Sequence, residues 1–222
     1  MEDRRLVVAD YLLTGVAGWV DAQGFLALQG LYVSFMSGNT TRFGLNLGLG
    51  RWSDAQPLAM LIGLFLTGVF LGAILSGLSG RWSIPLILSV EGAVLVVALV
   101  LAETPGMAVT SPALLALAMG VQNAAVVAVG PARVGLTYVT GTLVQAGQEL
   151  GKVMLGTGSI GVFMSNILSW IVLFLGVVAG TEAHTRFGLT ALSVPSLLVF
   201  GLAASFGILT AWNGAPRENN GS

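Results

Sequence analysis

The chain has 222 residues, 55% of them hydrophobic and 9% charged, with a net charge of −1 and a mean hydropathy of +0.89. A soluble domain carries about 25% charged residues, so most of this surface must face hydrocarbon, and the near-neutral balance excludes an electrostatic nucleic-acid partner. Zero cysteines and a single histidine, His184, exclude disulfides, thiolate chemistry and the usual zinc sites.

Crossing a hydrocarbon core takes roughly 20 apolar residues in a helix. Six stretches qualify, at about 6–28, 57–78, 84–102, 112–130, 162–180 and 189–212. Arg4 and Arg5 precede the first, which contains Asp10 and lacks a small-x-small cleavage site, so it reads as a retained span rather than a signal peptide. The breaks "SGRWS", "ETPGMAVTSP" and "TEAHTRFG" punctuate the others. The closing "NGAPRENNGS", 213–222, reads as a frayed polar tail. Two further segments, 30–52 and 135–154, are helix-compatible but polar and rich in glycine.

Those two segments align. "SFMSGNTTRFGLNLG" (34–48) laid over "TYVTGTLVQAGQELG" (137–151) puts Gly38 on Gly141, Gly44 on Gly147 and Gly48 on Gly151. Upstream, "GWVDA" (18–22) matches "GVQNA" (120–124), and each copy is followed by two apolar spans. The expected fold is therefore an all-α polytopic membrane protein of one domain. It has six transmembrane helices and two polar Gly-rich segments (broken, re-entrant or marginal spans), in two repeats at about 6–104 and 111–212. Six crossings make the repeats inverted and eight make them parallel; the Lys/Arg bias, with Arg4, Arg5, Arg81, Arg133, Lys152 and Arg217 on one side, favours six.

"DAQGF", "YVSFMSGNTT", "GVQNAAV" and "TYVTGTL" together resemble the YoaK family of bacterial integral membrane proteins, assigned to a domain of unknown function. The likeness covers nearly the whole chain, with Ser37 where threonine is usual in that family. It implies a six-span protein of the inner (cytoplasmic) membrane and supplies no substrate.

Ionisable groups within spans are costly and point to function when they face the interior. Asp21, Glu91 and Glu149 are the candidates for proton coupling or charge balance. Asp21 could instead neutralise Arg42, and Glu149 could pair with Lys152 three residues on. Gly44-x-x-x-Gly48 and Gly147-x-x-x-Gly151 would give each polar helix a flat face for close packing. Gly38 and Gly141 would break the helix or receive a neighbour. A helix starting in "SGNTT" would present free N–H groups at membrane depth. Paired broken helices are the sequence pointer to a transporter's midplane site. The expected site thus lies between the polar helices, with Asn39, Thr40, Thr41 and Arg42 on one wall and Thr140, Thr142, Gln145 and Gln148 on the other. Gly68-x-x-x-Gly72-x-x-x-Ser76 would serve packing within the chain or between protomers.

The expected function is a small secondary transporter, or a half-transporter working as a homodimer, for a small polar or anionic solute. A channel with the same repeat and a non-transporting scaffold are its rivals. No cofactor or metal is expected, and no HExxH or G-x-S-x-G motif suggests an enzyme.

Overall fold

The structure is a computed structural model describing residues 2–107, 110–129 and 139–214. These are almost wholly helical and contain no strand. The helices are α1 (Glu2–Ala27), α2 (Met36–Gly48), α3 (Trp52–Ser79), α4 (Ser83–Ala102), α5 (Thr110–Val129), α6 (Val139–Met154), α7 (Ile160–Phe187) and α8 (Ser193–Gly214). The six apolar runs become the six long helices, and the polar segments become α2 and α6. Residues 130–138, which begin the second polar segment, and the tail from 215 lie outside the described residues.

Two stretches, Trp52–Ala102 and Ile160–Trp212, are long and apolar enough to cross a membrane. Each is folded into a helix pair by a 3-10 turn, Gly80–Trp82 and Gly188–Leu192. Gly80 and Gly188 open those turns at φ +53° and +58°, a left-handed conformation that glycine adopts without steric cost. Large apolar side chains cover the outside, with Leu78 83% and Trp212 82% exposed, while Leu13, Leu61, Leu88, Leu95 and Met119 fill the core. At about 1.5 Å per residue, α2 and α6 reach roughly 20 and 24 Å, short of the ~30 Å hydrocarbon core.

Two glycine joints hold the long helices together. Where α3 crosses α5, a Cβ on Gly68 would overlap the Leu117 carbonyl, and one on Gly120 the Phe65 carbonyl. Where α1 crosses α7, a Cβ on Gly18 would overlap the Leu173 carbonyl, and one on Gly176 the Gly15 carbonyl. Gly72 lies against Val121 and Ala124, and Gly180 against Trp19. The Gly68/Gly72 stripe is therefore spent within the chain. The same pairs show that α1 runs parallel to α7, and α3 parallel to α5.

The remaining directions follow from single contacts. The Ser111 hydroxyl donates to the Ala98 carbonyl at 2.7 Å across the α4–α5 hairpin. Gly92 meets the Phe200 ring while Gly207 meets the Trp82 ring, so α4 and α8 are antiparallel. Helices α1, α4 and α7 thus run one way and α3, α5 and α8 the other. The passages through α2 and α6 add no further reversal.

The joints set an expected pattern of stability. Gly68→Ala and Gly176→Ala should each cost about 1–3 kcal/mol through overpacking, read as a fall in thermal unfolding temperature in detergent. Gly63→Ala, on α3 but facing open space, should be neutral or stabilising by up to about 1 kcal/mol, the glycine penalty in a helix.

Candidate functional site

The first polar segment is built around its corner. Asp21 Oδ1 on α1 accepts from the Val33 and Ser34 backbone N–H groups at 3.0 and 2.9 Å. Asn39, fully buried on α2, accepts from the Tyr32 N–H at 3.2 Å and donates to the Tyr32 carbonyl at 2.6 Å. Arg42 donates to the Gly30 carbonyl, not to Asp21. The rings of Phe25, Tyr32 and Phe35 follow one another at 4.9 and 5.1 Å between centroids. Asp21, Asn39 and Arg42 therefore clamp the turn between α1 and α2.

Helix α2 starts at Met36 and runs unbroken through Gly38, whose bare face receives the Phe35 ring. Thr40 and Thr41 are exposed and donate back to the carbonyls of Met36 and Ser37. The second polar helix is similarly open, with Thr140, Gln145 and Gln148 exposed and Thr142 half-buried. Glu149 faces the start of α7: Oε1 accepts from the Ser159 N–H at 2.8 Å and Oε2 from Lys152 Nζ at 3.1 Å. The Ser159 hydroxyl in turn caps α7 by accepting from the Val162 N–H at 3.4 Å.

These placements correct two expectations. Helix α2 packs along α3 and α6 along α7, and the described residues of the two polar helices do not touch each other. The eight wall residues therefore do not enclose a common site. A Cβ on Gly44, Gly48, Gly147 or Gly151 would meet nothing within 4 Å, so these glycines bring no helix close in this structure. Spacing i, i+4 makes a flat face but names no partner. Gly141 lies inside α6 and does not break it.

The inward-facing polar groups lie elsewhere. Glu91, on α4 among Ile87, Leu88 and Leu95, is fully buried, and neither carboxyl oxygen has a hydrogen-bond partner among the described residues. Gln122, fully buried on α5, donates to the Leu13 carbonyl at 3.3 Å, and its own carbonyl oxygen is unpartnered. Counting seven residues from the Ser111–Ala98 bond along each helix brings Glu91 level with Ala118. Gln122 lies four residues, about one turn, beyond that level. A second buried amide, Gln23 on α1, donates to the Gly180 carbonyl at 2.9 Å and lies 2.7 Å from His184 Nδ1. Because the Gln23 NH2 group donates to the Gly180 carbonyl, its Oε1 faces His184 and accepts, so Nδ1 of a neutral His184 is the protonated nitrogen.

Sequence reasoning found Glu91 and missed Gln122 and Gln23. The signal was present in "DAQGF" and "GVQNA", where Gln23 lies two residues after Asp21 and Gln122 directly precedes Asn123. Among the described residues no group of His, Asp and Glu is arranged to hold a metal.

Residues 10–205 match the profile of a family described as "Protein of unknown function (DUF1275)". A protein of Rhizobium meliloti (strain 1021) named "UPF0700 transmembrane protein RA0705" is 36% identical over 198 residues, covering 89% of this chain and 84% of its own. No solved structure matches.

Two measurements follow from the corner contacts. Asp21→Ala strands two backbone N–H groups and should destabilise by about 1–3 kcal/mol per buried group left unpaired, whereas Thr40→Ala should stay within about 0.5 kcal/mol, as surface changes do. The Ser159 N–H and then Lys152 hold the Glu149 carboxyl below its ordinary 4.5. Its stabilisation is thus complete above pH 4.5 and lost as pH falls through the lowered folded value. Thermal unfolding measured against pH should show this acid loss, and Glu149→Gln should flatten it.

Proposed function

The chain belongs to the DUF1275 family of membrane proteins, with which the YoaK resemblance agrees, and we propose that it is a small proton-coupled secondary transporter built from two inverted repeats. One repeat comprises α1–α4 and the other α5–α8, with six crossings, and α2 and α6 lie at the bundle's margins. Its solute is small and polar or anionic, and alternating access is a rocking of one repeat against the other.

The register of the glycine joints supports the repeats. Adding 102 carries Gly15, Gly18 and Trp19 of α1 onto Leu117, Gly120 and Val121 of α5. Adding 108 carries Phe65, Gly68, Val69 and Gly72 of α3 onto Leu173, Gly176, Val177 and Gly180 of α7. Under those shifts the contacts of one joint become the contacts of the other. The antiparallel α4–α8 pair supports inversion, because parallel repeats would make that pair parallel.

The observation that carries transport is Glu91. A neutral acid without partners at this depth costs unmade hydrogen bonds, and a bare carboxylate would cost far more. The proton therefore leaves only when water, a cation or the solute's own charge reaches the group. An orphaned titratable side chain on α4, with a half-satisfied glutamine about one turn further along α5, suits a site that opens alternately to each side. The proposed site moves accordingly from the α2/α6 walls to the α4–α5 seam, with Gln122 as a second, uncharged polar group one turn away. A homodimer would arise from the lipid-facing helices rather than from the α3 glycine stripe.

Purified protein in liposomes with an internal pH-sensitive dye should acidify or alkalinise with a member of a polar and anionic solute panel. Glu91→Gln should abolish the coupled proton flux while the protein remains folded. Solute flux that survives the substitution unchanged identifies a channel. Wild-type liposomes without protein-dependent flux across the panel identify a scaffold.

A further inference from the structure

The two seams where the repeats' end helices meet are not alike. Helix α4 closes along α5, but α8 stands away from α1 and leaves a furrow on the outside of the bundle. Its larger part, about 490 Å³, lies between Val8 and Ala9 of α1 and Leu202, Phe206 and Leu209 of α8, with Arg5 at its mouth. That volume is within the ~300–1,000 Å³ of ligand clefts. Further along α1 and α8 a separate apolar hollow of about 270 Å³ lies between Leu12 and Trp19 of α1, Leu198 of α8 and Val172 and Leu175 of α7. From Arg5 to Trp19 is fourteen residues of helix, about 21 Å.

We propose that this furrow binds one acyl chain of an anionic phospholipid, with the lipid phosphate on the Arg5 guanidinium. Water has almost nothing to bond to along the walls, so hydrocarbon fills the space. Arg5 selects the headgroup. It immediately precedes the first apolar run, at the depth where basic side chains meet phosphates. It is exposed, and no carboxylate among the described side chains, which begin at Arg5 itself, pairs with it. A second copy of the chain would have to bring both a ridge of apolar side chains and an acid to the same spot. A lipid carries both in one molecule, and the bilayer supplies it. The inference stands independently of transport.

Protein extracted in a mild detergent and examined by native mass spectrometry should retain phosphatidylglycerol near one per chain in preference to phosphatidylcholine. Phosphatidylglycerol should also raise the thermal unfolding temperature, and inorganic phosphate should not. Arg5→Gln should lower phosphatidylglycerol retention about fivefold, the gain of one basic group at an anionic headgroup. Arg51→Gln, a charge loss at the α2–α3 turn, should leave retention unchanged. Ser205→Phe, which narrows the furrow from α8, should lower retention of every phospholipid. Equal retention of the two lipids, indifference to Arg5→Gln, or stabilisation by inorganic phosphate alone would overturn the proposal. So would a lipid-free dimer that Ser205→Phe converts to monomers, which would give the furrow to a second copy.

Discussion

Everything in this bundle is referred to the two places where helix backbones touch through glycine. In a hydrocarbon solvent apolar side chains gain nothing by leaving lipid for protein, so helices associate through close van der Waals packing and polar contacts. The α3–α5 and α1–α7 joints bring backbones together where Cβ atoms cannot fit. Each joint ties a helix of the first half of the chain to one of the second, so neither half has an independent core. Helices α4 and α8 then pack on the frame so formed, with Gly92 under the Phe200 ring as a third close approach.

The long helices were legible because hydrophobicity over about 20 residues is a strong local signal, and the six runs survive with ends shifted by a few residues. Helix α7 departs furthest, continuing through "TEAHTRF", where His184 meets Gln23 of α1 and Glu182 and Arg186 pair across one helical turn. The function of the glycines was not legible. Gly68-x-x-x-Gly72 and Gly44-x-x-x-Gly48 have the same spacing, yet the first lies under α5 and the second faces open space. Nothing within either motif differs enough to say so; the distinction depends on which helix arrives from elsewhere in the chain.

The polar corner shows a related limit. Asp21, Asn39 and Arg42 were conspicuous because polar side chains at membrane depth are expensive. That expense is met locally, by turn backbone at Gly30, Tyr32, Val33 and Ser34. An irregular turn between helices exposes N–H and C=O groups that water cannot reach in a bilayer, and side chains must replace the water. The same chemistry that would bind a solute thus serves the chain's own backbone. Glu149 repeats the lesson at the start of α7, where its partners are the Ser159 N–H and Lys152.

Glu91 escapes this explanation, which is why the transport proposal rests on it. No turn lies near it in sequence, no donor among the described residues reaches it, and its helix neighbours Ile87, Leu88 and Leu95 are apolar and fully buried. A leucine there would pack without leaving polar oxygens unpaired. A carboxyl in that position makes the observed packing worse and gains a partner only if the helices around it rearrange or admit something. The asymmetry of the end seams supplies a direction for such movement. The α4–α5 seam, on the face of α4 that carries Glu91, is closely packed, and the α1–α8 seam is open along the furrow. If the two seams exchange these states as the proposed transport requires, the glycine joints are the pivots, because there the two halves of the chain meet backbone to backbone, without side chains that would have to repack.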